Sequence, residues 1–126
     1  MATKFSMTRD INGYNGFGLK FTDTAYSATL AATTDTTLTV PDHSTMGGAT
    51  YSENAQPTLI AIFSIDPGES VWVALNTAAS TPAGATFAAT ASELNPAARQ
   101  VVGGDVLHFY TAAANVVVGV SFYWLT

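Results

Sequence analysis

The chain is 126 residues long, the size of one domain, and contains no Cys; four basic and nine acidic side chains give a formal net charge of −5. A hydrophobic content of 48% excludes wholesale disorder, the lack of Cys excludes a disulfide framework or a thiolate metal site, and the acidic balance argues against nucleic acid as a ligand. Only 10% of the residues are charged, against about a quarter in ordinary domains, so the polar surface falls to Thr, Ser, Asn and Gln, which cost little to desolvate in an interface.

Residues 1–18 mix the turn formers Asn12-Gly13 and Asn15-Gly16 with Phe5, Tyr14 and Phe17 without steady periodicity, which predicts an extended N-terminal arm ahead of a single domain over 19–126. Lys4, Arg9 and Lys20, three of the four basic residues, lie in the first twenty positions, so the N-terminus differs in charge from the rest of the chain, in which Arg99 stands alone. Tyr26, Ala28 and Leu30 alternate with polar positions, as do Thr36, Leu38 and Val40, which predicts two strands joined as a hairpin at Thr34-Asp35. Residues 41–57 form a long irregular segment. Leu59–Ile65 and Val71–Leu75 flank Asp66-Pro67-Gly68-Glu69, where Pro presets the first turn position and Gly supplies positive φ at the second; the spacing predicts an antiparallel hairpin.

Ala, Ser, Thr and Pro dominate residues 77–97, with a short strand expected near Phe87 and a helical turn near Ala91–Leu94. Arg99–Val102, the Gly103-Gly104-Asp105 turn and Val106–Thr111 predict another hairpin, and Val116–Leu125 a final strand. That strand carries Val116, Val118, Val120, Phe122 and Trp124 on one face and Val117, Gly119, Ser121, Tyr123 and Leu125 on the other. With both faces reading as buried, it has to be central or covered by another subunit. Seven to nine short strands without a convincing helix predict an all-β fold, an antiparallel β-sandwich with jelly-roll-like topology.

Motifs that carry chemistry are missing from this pattern. His43 and His108 lie far apart and outside any metal-ligand spacing, so a sandwich histidine filling a half-buried polar position is the reading for both. There is no G-x-S-x-G, and Asp66 and Glu69 flank a turn, where they serve turn chemistry and solubility. Gly13, Gly16 and Gly18 have no strand before them and no helix after them to cradle a phosphate. Asp23 and Asp35 are the candidates for a calcium loop, without an EF-hand series around them. Trp72, Tyr51, Tyr123 and Trp124 are the aromatics from which a sugar platform could be built, although apolar neighbours assign Trp72 and Trp124 to core or subunit contact first. No catalytic residue, metal or cofactor is expected.

Five segments carry a resemblance: Thr-Thr-Leu-Thr-Val-Pro at 36–41, Ala-Ile-Phe-Ser-Ile-Asp-Pro-Gly-Glu-Ser-Val-Trp-Val-Ala-Leu-Asn at 61–76, Glu-Leu-Asn-Pro-Ala-Ala-Arg at 93–99, Gly-Asp-Val-Leu at 104–107 and the final Val-Gly-Val-Ser-Phe-Tyr. Over about two-thirds of its length the chain resembles small virion proteins of tailed bacteriophages, in particular capsid decoration (cement) proteins of phages of cyanobacteria and other marine bacteria. The resemblance implies a β-rich homotrimer on the capsid exterior, with the major capsid protein as partner and no active site. Lys4, Phe5, Arg9, Tyr14 and Phe17 are then expected to dock on the shell or a neighbouring subunit, and Phe122, Tyr123 and Trp124 to line the oligomer interface. A carbohydrate-binding or host-attachment module of a phage head or tail is the alternative. No apolar run spans a bilayer, and Met1–Ser6 lacks the apolar region of a secretory signal, so neither membrane nor nucleic acid is an expected partner and synthesis in the host cytoplasm is expected.

Overall fold

The computed structural model describes residues 3–4, 8–9, 15–16, 21–42, 58–84 and 86–125. These contain no helix. The strands are β1 (Thr3–Lys4), β2 (Thr8–Arg9), β3 (Asn15–Gly16), β4 (Ala25–Leu30), β5 (Thr36–Thr39), β6 (Thr58–Ile65), β7 (Trp72–Leu75), β8 (Glu93–Leu94), β9 (Ala98–Val102), β10 (Val106–Tyr110) and β11 (Val116–Trp124). The fold is all-β, built on two antiparallel sheets of four strands, ordered β4-β11-β6-β9 and β5-β10-β7-β8.

Strand β11 is central in the first sheet, as its apolar composition requires. One edge pairs with β6 from Val118↔Ile65 to Trp124↔Leu59, and the other with β4 from Val116↔Leu30 to Ser121↔Ala25. Beyond the end of β4 the ladder continues with β1, which lies parallel with Thr3 opposite Tyr123 and Lys4 opposite Trp124. Part of the expected arm is therefore an edge strand. Thr8–Arg9 pairs with Asn15–Gly16 in a separate two-stranded ladder. Phe5, Tyr14 and Phe17 lie outside the described residues, as do His43, Tyr51 and most of the irregular segment before β6.

Side chains from both sheets meet in one buried cluster: Leu30, Leu59, Ala61, Val101, Val116, Val118, Val120 and Phe122 from the first, and Val73, Leu107 and Phe109 from the second, with Val40 and Val71 at strand ends. The period-2 alternation is obeyed: Val116, Val118, Val120 and Phe122 point inward, and Trp124 packs against the cluster from the same face. The other face of β11 is not buried along its length. Tyr123 is covered, but Val117 is 43% exposed.

The expected turns form, yet three expected hairpins do not. Glu69 N–H donates to the Asp66 carbonyl at 3.2 Å and Gly68 adopts φ +79°, as a type II turn demands; nevertheless β6 and β7 belong to different sheets. The turn at 102–105 repeats this, with Asp105 N–H on the Val102 carbonyl at 3.0 Å and Gly104 at φ +89°, and it carries the chain from β9 in one sheet to β10 in the other. The Thr34-Asp35 corner likewise passes between sheets. Each is an arch: the two strands face each other across the core instead of sharing a ladder, which lets both press apolar side chains into the same interior. Only β7 and β8 among consecutive strands from β4 onward are paired, Trp72 with Leu94 and Val73 with Glu93. No strand forms at Phe87, which sits in a turn at φ +32°, and the residues read as a helical turn include β8 instead.

Candidate interaction surface

Where the chain turns, Asp and Asn side chains act as extra ladder rungs. Asp66 Oδ2 accepts from Val117 N–H at 2.8 Å, Asn76 Oδ1 from Val106 N–H at 2.8 Å, Asn95 Oδ1 from Val71 N–H at 2.8 Å and Asp105 Oδ2 from Val102 N–H at 3.0 Å. Short polar side chains suit this role because they reproduce a backbone acceptor beside a strand that has run out of partners. Asn76 and Asp105 also meet, with Asn76 Nδ2 donating to Asp105 Oδ1 at 3.2 Å, whereas the carboxylates of Asp66 and Asp105 serve separate turns. Among the described residues no group of three or more His, Cys, Asp or Glu side chains is placed to hold a metal ion. Asp23, one of the two calcium candidates, accepts from Thr24 Oγ1 at 3.3 Å.

Asp35, the other candidate, forms a close contact with a second titratable group that sequence spacing gave no sign of. His108 on β10 and Asp35 at the β4–β5 arch are 73 positions apart, with Nδ1 and Oδ2 at 2.8 Å and side chains 17% and 30% exposed. Asp35 Oδ1 also accepts from Ala79 N–H at 3.0 Å. Desolvation by itself would raise this carboxyl, but the hydrogen bonds from His108 and Ala79 and the attraction of the imidazole outweigh it and hold the group below the usual 3.8. His108 alternates with the buried Leu107 and Phe109, so it stands on the outer face of its sheet as a half-buried, satisfied histidine. The geometry is that of a latch: Asp35 ties the strap that leaves β7 to the sheet face beside Ala74, which the register puts opposite His108. Ala74, Ala79 and Ser92 are buried, and Ser80 N–H donates to Ser92 Oγ at 3.1 Å, closing the two legs of the strap on each other.

Between those legs the strap is bare. Residues 76–92 contain no charged side chain, and Phe87 near its tip is fully exposed in the left-handed region, which a bulky side chain adopts only at a cost. A cleft of about 240 Å³ opens at another place, between β4 and β5, the edge strands of the two sheets on one side of the fold. Tyr26, Ala28, Leu38, Phe109, Val118 and Val120 line it, and the β4 and β5 edges contain neither a charge nor a Pro to discourage pairing. On the outer face of the second sheet, Trp72 and Tyr110 are directly opposite each other in register, with Leu94 next to Trp72. Trp72 therefore points away from the core that Val71 and Val73 enter, while Trp124 packs against that core.

The candidate interface residues at the C-terminus are divided by the pleat. Phe122 is wholly buried, with its ring edge-on to Tyr26 at a centroid distance of 6.0 Å; Tyr123 is buried on the opposite face, and Trp124 is half-buried. Lys4 and Arg9 occupy β1 and β2. Arg99 is paired with Glu93 at 2.7 Å on the exposed surface. What the described residues bring together are apolar and hydroxyl-bearing surfaces.

Comparison with family models, with curated proteins and with solved structures gave no match.

Proposed function

We propose that the chain is a non-enzymatic virion structural protein, a capsid decoration (cement) protein that binds the major capsid protein from outside, stabilises the lattice and self-associates as a homotrimer. The observation that carries the reading is the strand order. In β4 through β11, sheets ordered β4-β11-β6-β9 and β5-β10-β7-β8, with every connection but β7–β8 crossing between them, support the jelly-roll reading. Viral capsid domains, lectins and cupins use that architecture, and fold analogy by itself does not choose among them. The site chemistry supports the first. Carboxylates at the arches are engaged by strand-end N–H groups, His108 is engaged by Asp35, and the surface is poor in charge and rich in Thr, Ala and exposed apolar side chains.

Co-sedimentation with undecorated heads of tailed phages of marine bacteria tests the proposal: saturable binding is expected, and its absence counts against decoration. Deleting residues 1–16 removes only a two-residue edge strand from the large sheet, so the fold is expected to persist while shell attachment through Lys4, Phe5, Arg9 and Tyr14 is lost. A truncated chain that binds heads with undiminished affinity would refute the arm assignment. The Trp72–Tyr110 row favours one second reading, a carbohydrate-binding appendage module, because adjacent outward aromatics can stack on a sugar ring. A glycan array positive for the native chain and negative for Trp72→Ala would promote it.

A further inference from the structure

We infer that neighbouring copies of this chain lock by inserting Phe87 of one copy into the β4–β5 cleft of the next. This deepens the self-association proposed above and rests on it.

The fold presents both a knob and a hole. Phe87 is fully exposed and so has no packing partner among the described residues, and its φ of +32° is a conformation that a Phe does not adopt without cost. An exposed, strained aromatic in a 17-residue segment free of charge is poorly explained by the folding of one copy. The strap is nonetheless anchored: the Asp35 and Ser92 bonds fix its legs, so the tip is presented from a defined base. The cleft is complementary in size and chemistry. An apolar cavity of about 150 Å³ accommodates benzene, so a cleft of about 240 Å³, with Leu38, Phe109, Val118 and Val120 on its walls and the hydroxyl-bearing Ser27, Thr36 and Thr37 also lining it, has room for a phenyl ring. Neither surface holds a charge that would have to be desolvated. The incoming strap would also lie over two sheet edges that the chain itself leaves without the charges or prolines that usually protect edges.

Because knob and hole are different patches of one surface, the contact is heterologous. Such contacts close into a ring when the rotation between copies permits, so three copies would bury three identical knobs, as a trimer needs. A phenyl ring sealed in a pocket at the centre of the contact has the character of an interface hot spot.

Light scattering across a dilution series tests the inference on the full chain. Phe87→Ala removes an exposed ring and cannot open the core, and it is expected to raise the concentration of half-assembly roughly 30-fold or more. Since the chain has no Cys, a Phe87→Cys copy mixed with an Ala28→Cys copy is expected to give a mixed interchain disulfide that neither variant forms with itself at the same yield. An oligomer unchanged in Phe87→Ala, with no mixed disulfide, overturns the inference and leaves self-association standing through another surface. A wild-type chain that is monomeric at the highest concentration tested overturns both, and head binding is then judged by co-sedimentation separately.

Discussion

Replacing Asn95 with Ala removes two of the three bonds that clip the β8–β9 turn to the start of β7. Asn95 N–H donates to the Val71 carbonyl at 2.9 Å and survives the change; the Oδ1 acceptor for Val71 N–H at 2.8 Å and the Nδ2 donor to the Glu69 carbonyl at 2.9 Å are lost. Val71 is wholly buried, so its N–H is stranded, at a cost of about 1–3 kcal/mol. The Glu69 carbonyl can turn to water, so its loss adds about 0.5 kcal/mol. Asn95 is also at φ +44°, where Asn is tolerated better than Ala, which adds about 0.5–1 kcal/mol. The expected total is about 2–4 kcal/mol. Asn95→Gly strands the same N–H without the strain and should cost about 1 kcal/mol less than Ala, while Asn95→Asp keeps the acceptor for Val71 and should cost least. Urea unfolding followed by fluorescence of Trp72 and Trp124, at one fixed protein concentration so that assembly does not confound the midpoints, reads all three. Equal midpoints for Ala and wild type, or Asp as the worst of the series, would refute the clip.

The latch gives a pH signature. A carboxyl held below 3.8 in the folded chain contributes stability that is fully present above that value and is lost as pH falls through the lowered one, so Asp35→Asn should be destabilised by about 1–2 kcal/mol at pH 7, with the gap to wild type closing as pH falls below about 4. A gap independent of pH from 7 to 2.5 would show that Asp35 acts by shape alone. In the core, Phe122→Ala should cost about 3–5 kcal/mol in the same urea assay, since the ring is wholly buried against Tyr26 and the cluster. A loss under 1 kcal/mol would mean that the site collapses around the cavity.

Local rules made the strands and turns legible in the sequence. The alternation through 116–124 specified which side chains share a face because the pleat imposes a period of two whatever the partner, and Pro67-Gly68 and Gly103-Gly104 specified reversals because φ is a property of single residues. The choice between hairpin and arch was not legible. A strand pair sharing a ladder and a strand pair facing across a core show the same apolar alternation, and the same tight turn serves both; burial summed over both sheets is what sent β6 and β7, or β9 and β10, to opposite sides. The pairing of Asp35 with His108 across 73 positions follows from that choice, because the β4–β5 arch brings Asp35 beside β10. The placement of Trp72 outside and Phe122 inside does too, since apolar side chains on successive residues of a strand point to opposite faces and only the packing of the sheets decides which face is the interior.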